Sequence, residues 1–405
     1  MDIIEPICIV IGIVAGLIVI ILAIKNSPVY FFNKRVVKFI ELRKNLSKNF
    51  HYIKNIINED WVEDGHPNLF CLSGWNHQKG AKLRKIDDIE LIADNTNRNY
   101  NKIKNSINKY IVLPKKNLSI VDNLEFVPDK GELYNATTYG ISRIEVNEDK
   151  INMHIKRGEY YDYINTCFGY GYEASHAYIH TKLNVQPKLR LRQKYKSIDF
   201  DNRLSQIGIS TLVIVKNMRS RSGTRHSFLL QHRGDEVASD RGLITPVPGG
   251  SFQPSKENAK KELDIALKED GLKHTIIREF LEEILSVPEA EYLPSTRLLN
   301  EHKIWDILND NIYYLGCGIH PINTYFEVLT CVVIDIEQPD VKEIMPTDIC
   351  GNFEGTIKTN EPFRKETLEY YAGLPKSTSA LIQTCKVILS DYDGITLQLG
   401  ISENT

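Results

Sequence analysis

Residues Pro246 to Leu285 open with PVPGGSFQP and close with REFLEEIL, and the two ends carry different chemistry. In the closing piece Glu279, Glu282 and Glu283 stand at i, i+3 and i+4, so a helix puts all three carboxylates on one face. Like charges so close repel unless a cation lies among them. Hard oxygen donors at this density suit Mg²⁺ or Mn²⁺, and therefore a bound di- or triphosphate. Arg278 stands beside them, able to pair with one carboxylate and hold the group in register. A solvated helix end is the plain alternative for Glu282 and Glu283. In the opening piece Gly249-Gly250 lets the backbone turn tightly and approach a ligand closely.

Arg278-Glu279-Phe280-Leu281-Glu282-Glu283 resembles the second half of a Nudix box, R-E-U-x-E-E with U apolar. The flanks keep the same order: a strand over Gln206 to Lys216 (QIGISTLVIVK), the run Phe228-Leu229-Leu230-Gln231-His232-Arg233, the double glycine, then the carboxylate helix. A complete box is G-x5-E-x7-R-E-U-x-E-E-x-G-U. Here Asp264 takes the first glycine position, Asp270 the first glutamate position and Leu285 the last glycine position, and 27 residues separate Gly250 from Arg278.

The resemblance implies an α/β fold, a Nudix-type α/β/α sandwich, and two possible uses of one cleft. In the first, Glu279, Glu282 and Glu283 hold Mg²⁺ and one of them, or Asp270, is the general base for hydrolysis of a nucleoside diphosphate linked to another group. In the second, the incomplete box binds a nucleotide without turnover, through Arg233, Phe252 and the backbone at Gly249 and Gly250.

A chain of 405 residues is long enough for two or three compact units. Its net charge of −2 gives no bulk attraction to nucleic-acid polymers. Seven scattered cysteines without a C-x-x-C pair read as reduced thiols rather than a disulfide framework.

Pro6 to Ile24, PICIVIGIVAGLIVIILAI, carries no charge, and at helical rise it spans roughly 28 Å, the thickness of a bilayer core. Asp2 and Glu5 precede it and Lys25, Lys34, Arg35 and Lys38 follow, which predicts an uncleaved single-pass anchor with the rest of the chain cytoplasmic. Gly12 and Gly16 form a G-x-x-x-G pair that allows close approach of two such helices, although the motif also arises by chance. Phe32, Val36, Phe39, Arg43, Leu46, Phe50, Ile53 and Ile57 follow a 4-3-4-3 spacing. That is a coiled-coil seam or, equally, an amphipathic helix packed on its own domain or on anionic lipid.

Further on, Leu133 to Val146 and Lys150 to Lys156 read as two strands. A segment with Tyr160, Tyr161 and Tyr163 follows, which either clamps a base or roofs a small core. In PKLRLRQKYK, Lys188, Arg190, Arg192, Lys194 and Lys196 alternate, giving a cationic stripe if the stretch is extended, or a solvated linker. Two apolar runs within Asn311 to Ile336 suit sheet strands, and a closing helix is expected near Lys376 to Leu389, capped by Ser377 or Thr378.

The expected units are an anchor over residues 1–26, a basic juxtamembrane helix over 27–60, a small α+β subdomain over 61–200 and a Nudix-like domain over 201–400. A membrane span ahead of an incomplete box is similar to the SMODS-associated NUDIX effectors of bacterial CBASS antiphage systems. That likeness implies a homo-oligomer in the bacterial inner membrane, which senses a cyclic nucleotide and clusters its transmembrane helices. The alternative is a membrane-tethered, Mg-dependent Nudix hydrolase.

Overall fold

The computed structural model describes residues 69–96, 136–147, 150–167, 169–171, 173–174, 177–178, 189–194, 199–218, 220, 223–234, 242–287, 299, 302–345, 351–352 and 355–401. The apolar run 6–24 with Gly12 and Gly16 and the 32–57 seam lie outside these residues.

In chain order the elements are β1 (Arg84–Lys85), β2 (Ile89–Ala93), β3 (Thr137–Val146), β4 (Ile151–Glu159), α1 (Tyr160–Thr166), α2 (Arg190–Lys194), β5 (Ser205–Lys216), β6 (Ser227–Arg233), β7 (Ile244–Pro246) and β8 (Gly249–Ser251). There follow α3 (Leu263–Asp270), α4 (Leu272–Glu283), α5 (Lys303–Leu308), β9 (Ile312–Ile319), β10 (Phe326–Asp335), α6 (Pro339–Ile344), β11 (Gly351–Asn352), β12 (Gly355–Pro362), α7 (Lys365–Gly373), α8 (Ser379–Ser390) and α9 (Tyr392–Gln398).

All twelve strands among the described residues join one mixed sheet. β5 organises it. At about 3.3 Å per residue its twelve residues span roughly 40 Å, enough to serve several partners in turn. One edge pairs in parallel with β10 from Ile207↔Phe326 to Lys216↔Asp335. The other edge is shared: Ser205 and Gln206 pair with β3, Gly208 to Ser210 with β8, and Ile214 and Val215 with β6. The side chains alternate between two cores. Ile207, Ile209, Val213 and Val215 join the cluster beneath α3 and α4, while Leu212 and Ile214 join the cluster beneath α7, α8 and α9. Burial on both faces accounts for the unbroken apolar run in STLVIV. Each such side chain contributes roughly 1.5–3 kcal/mol.

Two expectations are corrected here. The α/β/α sandwich behind a membrane helix and an appended α+β subdomain gives way to a single mixed sheet, curled almost into a barrel, with helices against it. The cause lies in β5. Three successive partners on one edge bring β2, β3 and β4 into the same hydrogen-bonded sheet as β9 and β10, and the sheet curls rather than ending. The single-pass inner-membrane placement is also withdrawn: among the described residues no helix is long and apolar enough to cross a membrane.

Residues 190–194 form a helix, so the expected cationic stripe on an extended strand does not form. On a helix, positions i and i+2 do not share a face. Arg192 instead turns inward, 2% exposed, and donates to the carbonyls of Pro321, Tyr170 and Ile322 at 2.8, 3.2 and 2.6 Å. Burial draws its pKa down to about 10, which keeps it protonated at neutral pH.

The segment 69–85 lies along the outer edge of β9. Phe70 bridges Ile319, the His77 amide donates to the Leu315 carbonyl at 2.8 Å, and β1 pairs with Tyr313 and Tyr314. It is tied down at the far side of the molecule as well. The His77 ring pairs with Asp391 at 3.0 Å, and the Leu83 amide donates to Gln398 Oε1 at 2.6 Å.

Arg192→Leu removes the donor to three buried carbonyls and is expected to cost about 2–4 kcal/mol, read from urea unfolding of both proteins. Wild-type stability in the variant would show that these bonds add nothing.

Candidate functional site

A cleft of about 300 Å³ opens where both central strands change character on one face. Leu212 and Ile214 of β5, and Leu329, Cys331 and Val333 of β10, are apolar and covered by α7 to α9. Upstream on the same face stand Ser210, Gly208 and Gln206 of β5, and Glu327 and Tyr325 at the start of β10. These five residues are among the cleft lining, and β8, the α4 carboxylates and the start of α8 complete the walls.

Two missing Cβ atoms make room for two carboxylates. A Cβ at Gly208 would collide with the Glu327 carboxylate, and one at Gly250 with that of Glu279. Gly250 pairs with Ile209, one position from Gly208, and Glu279 and Glu327 both line the cleft. Glu327 is 5% exposed and accepts from Ser210 Oγ at 2.5 Å. Arg278 Nη2 donates to Glu279 Oε1 at 2.9 Å and to the Ser251 carbonyl at 3.2 Å, so it clamps α4 to β8. Glu283, 2% exposed, accepts from the Gly249 amide at 2.9 Å. Glu282 lines the cleft.

The expected site residues divide accordingly. Glu279, Glu282, Gly249, Gly250 and Arg233 come together around the cleft, and Glu283 stands behind Gly249. Phe252 and Asp270 do not line it. Phe252 is fully buried against Tyr139, ring centroids 4.7 Å apart. Asp270 is 3% exposed and accepts from Asn258 Nδ2 at 2.9 Å, the Ser255 amide at 3.3 Å and Tyr139 Oη at 3.3 Å. It ties the turn after β8 to the junction of α3 and α4. Desolvation pushes its carboxyl above the ordinary value, against the bonds from Asn258 and Ser255.

The Mg²⁺ expected among Glu279, Glu282 and Glu283 does not fit the arrangement. Among the described residues no group of three or more His, Cys, Asp or Glu side chains is placed to hold a metal ion. Arg278 already supplies positive charge to Glu279, and the Gly249 amide occupies an oxygen of Glu283.

Three lining features escaped the sequence reading. Glu327 interrupts the apolar strand YFEVLTCVVIDI and Gly208 interrupts QIGISTLVIVK, and a lone charge or glycine within a strand marks a close approach or a site. The third is the place of α8: Thr378 caps it as expected, accepting from the Leu381 amide at 3.2 Å, but that Thr378 and Ala380 line the cleft with Thr245 and Arg233 is new.

No family model and no curated protein matches the chain. Among solved structures, a Nudix hydrolase from M. Smegmatis, RenU, is a structural neighbour at 13% identity and a TM-score of 0.24, covering 48% of this chain and 86% of that one. A likeness of that size leaves the cleft to be read from its own geometry.

Gly250→Ala and Gly208→Ala each force a carboxylate end aside. Each is expected to cost about 1 kcal/mol in thermal unfolding, because the displaced atoms belong to flexible side-chain ends. A loss of folding in either would show that the backbone, not the carboxylate, fills the space.

A second expectation concerns pH. A raised folded-state pKa means that the contribution of Asp270 to stability is full below its ordinary value of 3.8 and is lost as pH rises through the folded value. The stability of wild type relative to Asp270→Asn is therefore expected to fall as pH is raised from acid to neutral. A flat difference across that window would contradict the assignment.

Proposed function

We propose that the cleft binds a nucleotide-derived ligand, with its phosphates toward Arg233 and the start of α8. One observation carries this reading. Arg233 is the one cationic side chain among the described lining residues, and it shares its end of the cleft with Thr245, Thr378 and a helix N-terminus. Such a helix end bears partial positive charge, and guanidinium and hydroxyl groups donate to phosphate oxygens. The Nudix-like motif around Gly249-Gly250 and Arg278 to Glu283 supports the same ligand class, and the sequence resemblance favours a cyclic nucleotide within it.

Binding is favoured over turnover. Of the four carboxylates expected to do chemistry, Asp270 braces a turn, Glu283 holds the Gly249 amide and Glu279 pairs with Arg278. The second reading, hydrolysis of a nucleoside diphosphate derivative, is favoured by Glu282 and Glu327, which both line the cleft.

Linear and cyclic nucleotides, with and without Mg²⁺, are to be followed by thermal shift and by product release. Stabilisation without product is expected, and Arg233→Ala is expected to weaken binding by about 1.5–3 kcal/mol. Unchanged affinity in Arg233→Ala would overturn the phosphate assignment. Multiple-turnover product release, abolished by Glu282→Gln with Glu327→Gln, would establish hydrolysis instead.

A further inference from the structure

The cleft has chemically unlike ends. Its lining residues Gln206 and Ser210 are four positions apart on β5, about 13 Å of strand. Beyond Ser210, which pairs with Gly249, the walls lead through β7 to Arg233. At the Gln206 end, where its side-chain amide donates to Thr138 Oγ1 at 2.9 Å, two tyrosines also line the cleft. Tyr325 immediately precedes Phe326, the register partner of Ile207, and so stands beside Gln206. Tyr163 arrives from α1, whose last residue, Thr166, accepts from the Leu204 amide at 3.1 Å.

The Tyr325 ring is held in place before any ligand arrives. It stacks on His320 with centroids 4.6 Å apart and planes 12° from parallel. His320 is itself 2% exposed, and its Nδ1 accepts from the amides of Ile322 and Asn323 at 3.2 and 3.1 Å. An aromatic plane fixed this way loses little freedom when a second plane lies against it.

We propose that this end of the cleft is a base pocket: a planar heteroaromatic base stacks at Tyr325 beside Tyr163, and the phosphates extend past the carboxylates to Arg233. The inference rests on the nucleotide reading above and adds the orientation of the ligand. A stacked base is worth about 1–3 kcal/mol on alanine substitution, which converts to roughly 5- to 150-fold in Kd.

The test uses the full chain and calorimetric titration with ADP, GDP, CDP, UDP and inorganic pyrophosphate. At least one nucleoside diphosphate is expected to bind tenfold or more tighter than pyrophosphate, with its base protons shifted upfield by the tyrosine ring current in NMR spectra. Tyr325→Phe is expected to keep that affinity, and Tyr325→Leu to lose roughly 5- to 150-fold while pyrophosphate affinity stays unchanged. Wild-type nucleotide affinity in Tyr325→Leu overturns the proposal. So does pyrophosphate binding as tight as every nucleotide with no upfield shift, a comparison that needs no variant; that outcome leaves the phosphate end standing. Binding of none of the five, together with no stabilisation by any cyclic nucleotide, removes the nucleotide reading and this inference together.

Discussion

The phase of the parallel pairing between β5 and β10 is the constraint on which the rest of the molecule depends. Ile207 lies opposite Phe326 and the register holds without a slip to Lys216 and Asp335. One face of both strands is apolar apart from Thr211 and Thr330, whose buried hydroxyls hydrogen-bond each other at 2.8 Å. The other is apolar only in its later half, so the two polar halves fall side by side and make a floor. A slip of one residue would turn β10 over relative to β5, driving Glu327 into the core and lifting Val328 out of it, at a cost no local interaction offsets. The cleft is therefore the part of the sheet where the apolar pattern stops on one face.

The acidic helix does architectural duty at that floor. Glu283 fastens the glycine turn through the Gly249 amide, and Arg278 joins Glu279 and the Ser251 carbonyl so that α4 cannot slide along β8. Asp270 performs the same service further back, where the chain between the double glycine and the helix is longest. A carboxylate held by a backbone amide or a guanidinium is satisfied without a cation. Glu282 and Glu327 line the cleft, where Glu327 accepts from Ser210 Oγ.

Much of this was legible in the residues, and the limits are physical. The strands around Gln206 to Lys216, Phe228 to Arg233, and the two runs after Asn311 declare themselves by apolar pattern, and α8 by its pattern and its Thr378 cap. The pairing of Ser210 with Glu327 joins residues 117 positions apart, and nothing local encodes it. The succession of partners along one edge of β5 is equally non-local, which is why an open sandwich was the natural expectation and a curled sheet the outcome. Asp270 and Arg192 mislead for one reason. A charged side chain in a sequence reads as exposed chemistry, whereas each is buried among donors or acceptors that only the tertiary fold assembles.

The strap formed by residues 69–85 has a bearing on solubility. β9 carries YYLGCGI, and on its outer side its backbone is met by Phe70, His77 and β1. These contacts are few, and they are anchored at a distance by Asp391 and Gln398. A chain shortened past this strap would present an apolar strand with a row of unpaired amides and carbonyls, the template on which copies add to one another edge to edge. In that sense the strap acts as a built-in guard against aggregation, and its fastening to the C-terminal helices makes the guard depend on both ends of the described chain.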